Sequence, residues 1–290
     1  VALITKQKHL MRQSVDLLHP WWSLTRPVEY PCIVKPVDSS ASRGVNIVCN
    51  ERDFERGLGL ARMASPSGGV IIEEWLQGNE ASTDWMVVDA FPVYINGASR
   101  YFVGHIETGW INPFMIDVSI QDLANHAVKA LGITDGPFKM DIIEDPRYGW
   151  VILECATRWS GSFDHTIGAS ISTGRNLSAC LADYAMGLPF DSKYAMSHSN
   201  ATCYAAGYTP ILEGEYLVTN DMIRSVSGSP DVVDVIPMRF TRGTINSLAD
   251  RPIFIITKGG TPEIARMEGI YAWQSWLELE RTMSLGGGDS

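Results

Sequence analysis

Apolar and polar positions repeat along this chain with two different periods, and the changes between them mark out the elements. Leu10, Met11, Val15 and Leu18 recur on one side at helical spacing, so residues 8–18 are expected to form a helix, while the short apolar run 1–4 reads as the end of a strand. Pro20, Trp21, Trp22 and Pro27 break the helical pattern. Strands are expected over 30–37, 45–49, 70–75, 82–88, 93–97 and 99–105, and helices over 51–63, 119–131 and 176–186. Residues 108–113 and 161–174, rich in small or turn-forming side chains, read as loops. From Asn200 the texture changes to short strand-like runs, 202–209, 216–218, 232–239 and 253–257, separated by turn clusters. A well-signalled helix then starts with Thr261 as N-cap, Pro262 at the first helical position and Glu263 in the first turn. Residues 200–283 thus read as a separate small α+β lobe, and 284–290 as a loose tail.

One hairpin carries the clearest chemistry. Residues 139–143 and 150–155 read as strands joined by the turn Asp145-Pro146-Arg147-Tyr148-Gly149. If Glu144 pairs with Val151, Asp141 lies directly opposite Glu154. Carboxylates roughly 5 Å apart at Cβ repel each other, and a hard divalent cation between them removes that penalty. The plain alternative is a solvated hairpin whose acids face water. Arg158 follows close behind, a fixed positive charge suited to phosphate oxygens.

A second candidate lies earlier. Lys35 sits in an apolar strand, which asks for a partner anion or an edge position. The segment after it, with Ser39, Ser40, Ser42, Arg43 and Gly44, is a loop of small residues whose exposed N–H groups suit a phosphate. It is not a Walker loop, which needs a different spacing and an ensuing helix. Further on, Glu73, Glu74, Trp75 and Leu76 combine two acids with two apolar residues. Carboxylate or backbone would suit the amine edge of adenine and the apolar pair its ring, though taken alone the pattern fits an exposed strand end better. Ser160, Ser162 and His165 are candidates for substrate contact, and Lys139 and Arg100 are either phosphate neighbours or surface charges.

Composition narrows the classes. A formal net charge of −10 over 290 residues, with pI about 5.1, argues against general binding to nucleic acid or anionic membrane. An anionic ligand therefore needs a local basic cluster. Five scattered cysteines, none in a CxxC pair, form neither a disulfide framework nor a zinc site and favour a reducing, cytoplasmic setting. The chain starts at Val1 rather than Met and reads as a fragment with its upstream part missing.

Taken in order, these pieces resemble the ATP-grasp superfamily, of the carboxylate–amine (amino-acid or peptide) ligase type, over residues 8 to about 187. The match runs through Lys8-His9-Leu10-Met11-Arg12, Pro31-Cys32-Ile33-Val34-Lys35-Pro36, the loop 39–45 and the hinge-like 72–80. The resemblance implies an α+β fold, an ATP-grasp fold of two α+β lobes with ATP between them, plus the small C-terminal lobe. Its boundaries would fall at 1–76, 77–199, 200–283 and 284–290, without the Rossmann-like domain that usually precedes. It implies that Lys8 and Lys35 hold the α- and β-phosphates, that Glu73 to Leu76 frame the adenine, and that Glu80 takes the ribose hydroxyls. Asp141 and Glu154 would bind Mg²⁺, with Mn²⁺ as substitute, and Arg158 would steady the transferred phosphoryl group. Ala156 stands where many members carry asparagine as a further metal ligand, which leaves a second metal position open, and the link 19–30 is shorter than usual. The partners implied are ATP, a small carboxylate and an amine, with a homodimer allowed; a non-catalytic ATP-binding module is the rival reading, and a small-molecule kinase a weaker third.

Overall fold

A computed structural model describes residues 1–15, 20–197, 201–209, 218–238 and 252–286. The expected helix end at Leu18, Tyr216, Leu217 and Arg239 lie outside the described residues.

The chain opens with two short helices, α1 (Ala2–Lys6) and α2 (Lys8–Ser14), so the opening apolar run is helical rather than the end of a strand. A small sheet follows, made of β1 (Trp22–Ser23), β2 (Cys32–Pro36), β3 (Asn46–Val48) and β4 (Val70–Glu74) in the antiparallel order β1-β4-β2-β3. Helix α3 (Glu51–Ala64) begins where the Asn50 side chain accepts from the Asp53 N–H, and it packs Phe54, Leu58 and Ala61 onto Cys32, Val34 and Val48. Lys35 occupies a strand with neighbours on both sides, so it is not at an edge.

The second sheet has eight strands in the order β11-β12-β10-β7-β6-β5-β8-β9. Its centre is β5 (Asn79–Val88), β6 (Phe91–Val103), β7 (Ile106–Asn112), β8 (Gly136–Asp145) and β9 (Gly149–Ala156). The two runs expected at 93–97 and 99–105 are one strand, and most of the expected loop 108–113 is strand as well. Alternation divides the sheet's faces. Ala81, Trp85, Tyr94, Phe138, Met140 and Ile142 form a core with Ile120, Leu123, Ala127 and Val128 of α4 (Val118–Leu131). The opposite face carries Glu80, Ser82, Asp84, Arg100 and Asp141.

The hairpin β8–β9 reaches the expected pairing by another route. At the turn Glu144 pairs with Trp150 and Ile143 with Val151, one residue away from the expected alignment. A register shift after Ile142↔Ile152 leaves Leu153 unpaired, and Asp141 then meets Glu154. A bulge of this kind changes which side chains share a face. Without it Glu154 would point away from Asp141.

The segment 161–174 is helical over much of its length, with a π-helical turn (Asp164–Gly168) running into α5 (Ala169–Thr173). Helix α6 (Leu177–Ala185) follows, capped by Asn176. The C-terminal part has its own apolar cluster, with Met222 and Val226 of α7 (Asn220–Ser227) against Trp273 and Trp276 of α8 (Pro262–Gly286). It does not have its own sheet: β10 (Tyr204–Tyr208), β11 (Val232–Pro237) and β12 (Ile253–Gly259) extend the large one through the β10–β7 pairing. Helix α8 also continues to Gly286, into the stretch expected to be a tail.

Candidate active site

The two sheets enclose a cleft of about 420 Å³, within the usual size range of small-molecule sites. On its N-terminal wall Lys8, at the start of α2, donates from Nζ to the Ser39 carbonyl at 2.7 Å and lies 3.9 Å from Glu154 Oε1. The loop after β2 turns through Ala41, Ser42 and Gly44, all at positive φ. Gly44 is required there, because a Cβ would sit 2.4 Å from the Ala64 Cβ at a φ of +72°. Ser39, Ser40, Ser42 and Arg43 all line the cleft. The Arg43 guanidinium donates to Ser40 Oγ at 3.2 Å.

Lys35 finds its anion inside the protein: Nζ lies 2.6 Å from Glu73 Oε2. Burial draws the lysine's pKa down while Glu73 opposes the shift. The other Glu73 oxygen accepts from Arg12 Nε at 2.8 Å, and Arg12 Nη2 approaches Oε2 at 3.2 Å. The expectation that Glu73 presents its carboxylate to adenine is therefore corrected: both oxygens are held by cations from α2 and β2. Glu74 is also engaged, by Arg147 Nη1 at 2.6 Å and by the Tyr148 hydroxyl. Trp75 and Leu76 follow the end of β4, rather than Trp75 closing the strand, and both line the cleft.

Arg12 is the main residue that the sequence did not single out. Fully buried, it donates to the carbonyls of Ile152 and Leu153, each at 2.8 Å, as well as to Glu73. The bulge at Leu153 bares those carbonyls on β9, and a guanidinium has the fork geometry to take both. The isolated pattern Met11-Arg12-Gln13 gives no sign of this, because these described partners lie far along the chain.

The C-terminal wall belongs to the large sheet. Asp141 lies across β5 from Ser82, whose hydroxyl donates to Oδ1. Lys139 Nζ is 2.8 Å from Asp141 Oδ2, and Arg100 Nη1 is 3.3 Å from Oδ1. Burial alone would raise this carboxyl's pKa, but Lys139, Arg100 and the Ser82 hydroxyl hold it well below the usual range. Lys139 and Arg100 are thus carboxylate partners rather than surface charges. Arg100 also reaches Glu107 at 3.3 Å and Glu80 at 3.8 Å. Burial pushes the Glu80 carboxyl up to about 7, with Arg100 opposing and Asp141 adding to the rise. Glu154, its side chain 40% exposed, projects from β9 opposite Asp141. Arg158 is exposed on the cleft lining and donates from Nη1 to the Trp159 carbonyl at 2.8 Å.

Of the other sequence candidates, Ser162 lines this cleft. Ser160 is buried and donates to Asp84 through both N–H and hydroxyl. His165 packs edge-on to Trp159 instead of lining the cleft.

Comparison with known proteins finds similarity of sequence over part of the chain and of fold over nearly all of it. Residues 28–164 match the family model of the ATP-grasp domain. The structure superposes on the L-amino acid ligase of Bacillus licheniformis with a TM-score of 0.75 at 19% identity, over 93% of this chain and 71% of that one. It superposes on the N5-carboxyaminoimidazole synthase of Aspergillus clavatus, solved with ADP, with a TM-score of 0.73 at 10% identity, over 95% and 74% of the two chains. Among curated sequences it is 25% identical over 154 residues to the arginine-specific carbamoyl phosphate synthase large chain of Cutaneotrichosporon cutaneum, covering 47% of this chain and 13% of that protein. The chain thus spans about an eighth of that curated relative. Residues 28–164 thus resemble an ATP-grasp domain, and the chain shares the fold of these two solved proteins.

Proposed function

We propose that the protein is an ATP-dependent carboxylate–amine ligase that works through an acyl-phosphate intermediate. The observation that carries the reading is the pairing of Asp141 with Glu154 across one cleft from Lys8, Lys35 and the loop 39–44. Its similarity in fold to an L-amino acid ligase and a carboxyaminoimidazole synthase points the same way. In this reading Lys8 and Lys35 hold the α- and β-phosphates, with Ser39, Ser40, Ser42, Arg43 and Gly44 covering them. The main chain of Glu74, Trp75 and Leu76 meets the adenine edge, and Glu80 the ribose hydroxyls.

The donor set suits Mg²⁺ or Mn²⁺, hard cations that take carboxylate and phosphate oxygens. Glu154 is the open ligand; Asp141 is ionised, but its oxygens are held by Ser82, Arg100 and Lys139, so it would reach the ion by exchanging one of these partners. When bound, the ion would neutralise charge on the transferring phosphoryl group. The acid's carboxylate oxygen attacks the γ-phosphorus, a P–O bond breaks and ADP leaves. The amine nitrogen then attacks the acyl carbon, phosphate leaves with the C–O bond electrons, and the amine gives up a proton as the amide forms. Arg158 faces the charge that grows in the first step.

The test is phosphate release from ATP during a screen of amino acids and dipeptides. A ligase releases ADP and phosphate only when an accepting acid is present. A binding module would bind ATP without acid-dependent turnover, and a kinase would release ADP without free phosphate.

A further inference from the structure

Away from the ATP cleft, three side chains converge with their chemistry unspent. Asp84 lies on β5 at a register shift in its pairing with β6, Asp164 opens the π-helical turn, and His165 follows it. One ligand atom from each lies within 4.8 Å of the others. Asp84 Oδ1 already accepts from the N–H and hydroxyl of Ser160, at 2.7 and 2.8 Å, and its Oδ2 is 3.5 Å from Asn96 Nδ2. Asp164 is only 2% exposed, yet neither of its carboxylate oxygens has a hydrogen-bond partner, and His165 Nδ1 has none either. Its nearest approach to Asp164 Oδ1, at 3.9 Å, is too long for a hydrogen bond. A buried carboxylate without a donor is costly, and here a second carboxylate stands beside it. A cavity of about 30 Å³ borders Asp164, on the scale of one water, but Asp84 and His165 do not line it, so the ion would sit among the three side chains rather than in that space.

We propose that Asp84, Asp164 and His165 form a second metal site, for a first-row divalent cation, separate from the position at Asp141 and Glu154. Two carboxylates and one imidazole make a borderline donor set that favours Mn²⁺, Co²⁺ or Zn²⁺ over Mg²⁺. Ligand atoms bound tetrahedrally to one ion at about 2.1 Å lie about 3.4 Å from each other, so the widest pair of the cluster closes by up to about 1.4 Å. The bound ion would supply Asp164 with a direct partner, where the protein offers only the His165 imidazole at 3.9 Å. It also ties the π-helical turn to β5, close to Ser162, which borders the cleft on which Arg158 opens. This inference stands on its own geometry and does not depend on the ligase reading.

The experiment uses the full chain, stripped of metal and free of nucleotide, titrated with Co²⁺ and followed by calorimetry and visible absorption. One Co²⁺ should bind per chain and persist in excess Mg²⁺. Asp164→Asn and His165→Gln should each weaken it at least tenfold, while Asp141→Asn with Glu154→Gln leaves it unchanged. In chelator Asp164→Asn should melt no lower than the wild type, because it removes an uncompensated buried charge, and Co²⁺ should raise the wild-type Tm only. If Asp164→Asn fails to fold, His165→Gln carries the comparison, since that side chain is 20% exposed. The proposal is overturned if the wild type binds no Co²⁺, if both variants keep full affinity, or if binding is lost with the Asp141 and Glu154 substitutions instead.

Discussion

The two walls of the cleft have opposite electrostatic designs. On the N-terminal wall Arg12 and Lys35 close on Glu73, and Lys8 and Arg43 add two further cations to the cleft beside the two acids Glu73 and Glu74. On the C-terminal wall Arg100 and Lys139 serve Glu80, Glu107 and Asp141, and Glu154 stands beside them without a cation from that wall among the described residues. A chain with net charge −10 thus concentrates positive charge where a polyphosphate would lie and negative charge where a cation would lie. Neither wall is neutral alone. The arrangement anticipates a ligand that carries both signs, a metal–nucleotide complex, rather than a free anion.

The severest way to break this comparison is to remove the acids that face each other. Asp141→Asn with Glu154→Gln should abolish Mg²⁺-dependent ATP binding while the fold persists; unchanged affinity in calorimetry would place the cation elsewhere. Next comes the acid of the basic wall. Glu73→Gln leaves Arg12 and Lys35 buried around a neutral group, and breaking a buried pair from one side costs about 3–5 kcal/mol. Denaturant unfolding reads this directly, and a loss below about 1 kcal/mol would mean that the cations find other partners.

Arg158 tests the rim between the walls. Replacing it by Ala should lower turnover about a hundredfold with ATP affinity nearly kept, and Lys should not restore it, since a point charge lacks the planar fork. Equal turnover in Arg158→Ala would remove it from the reaction. The smallest effect belongs to Glu80. Burial raises its carboxyl to about 7 from an ordinary 4.5. Below the unfolded value both states are protonated and the full contribution is present; it is lost as pH rises through the folded value. The stability of Glu80→Gln relative to wild type should therefore grow between about pH 4.5 and 7 and level off above, as thermal melts across that range would show.

What the sequence revealed depends on how far apart the partners lie. Helices α3 and α4 and the strands around Lys35 follow local periodicity and caps, and their limits fall within a residue or two of expectation. The facing of Asp141 and Glu154 was legible too, but for a mistaken reason: the alignment at the turn is shifted by one and the bulge at Leu153 restores it. Glu73 was misread because an acid at a strand end looks available until Arg12 and Lys35, from two other elements, close on it. The joining of β10 to β7 and the meeting of Asp84 with Asp164 span still longer separations, over which no local pattern carries information.

Arg12 also bears on how such a molecule could move. Its guanidinium fastens α2, β4 and β9 to one another at a point where no solvent stands ready to replace a broken bond. Parting the sheets there would strip a buried cation of its acceptors, so the floor of the cleft acts as a pivot. Under the ligase reading, any opening that admits a nucleotide would then come at the rim, where the turn at Ala41 and Ser42 and the tip at Gly104 and His105 border the cleft.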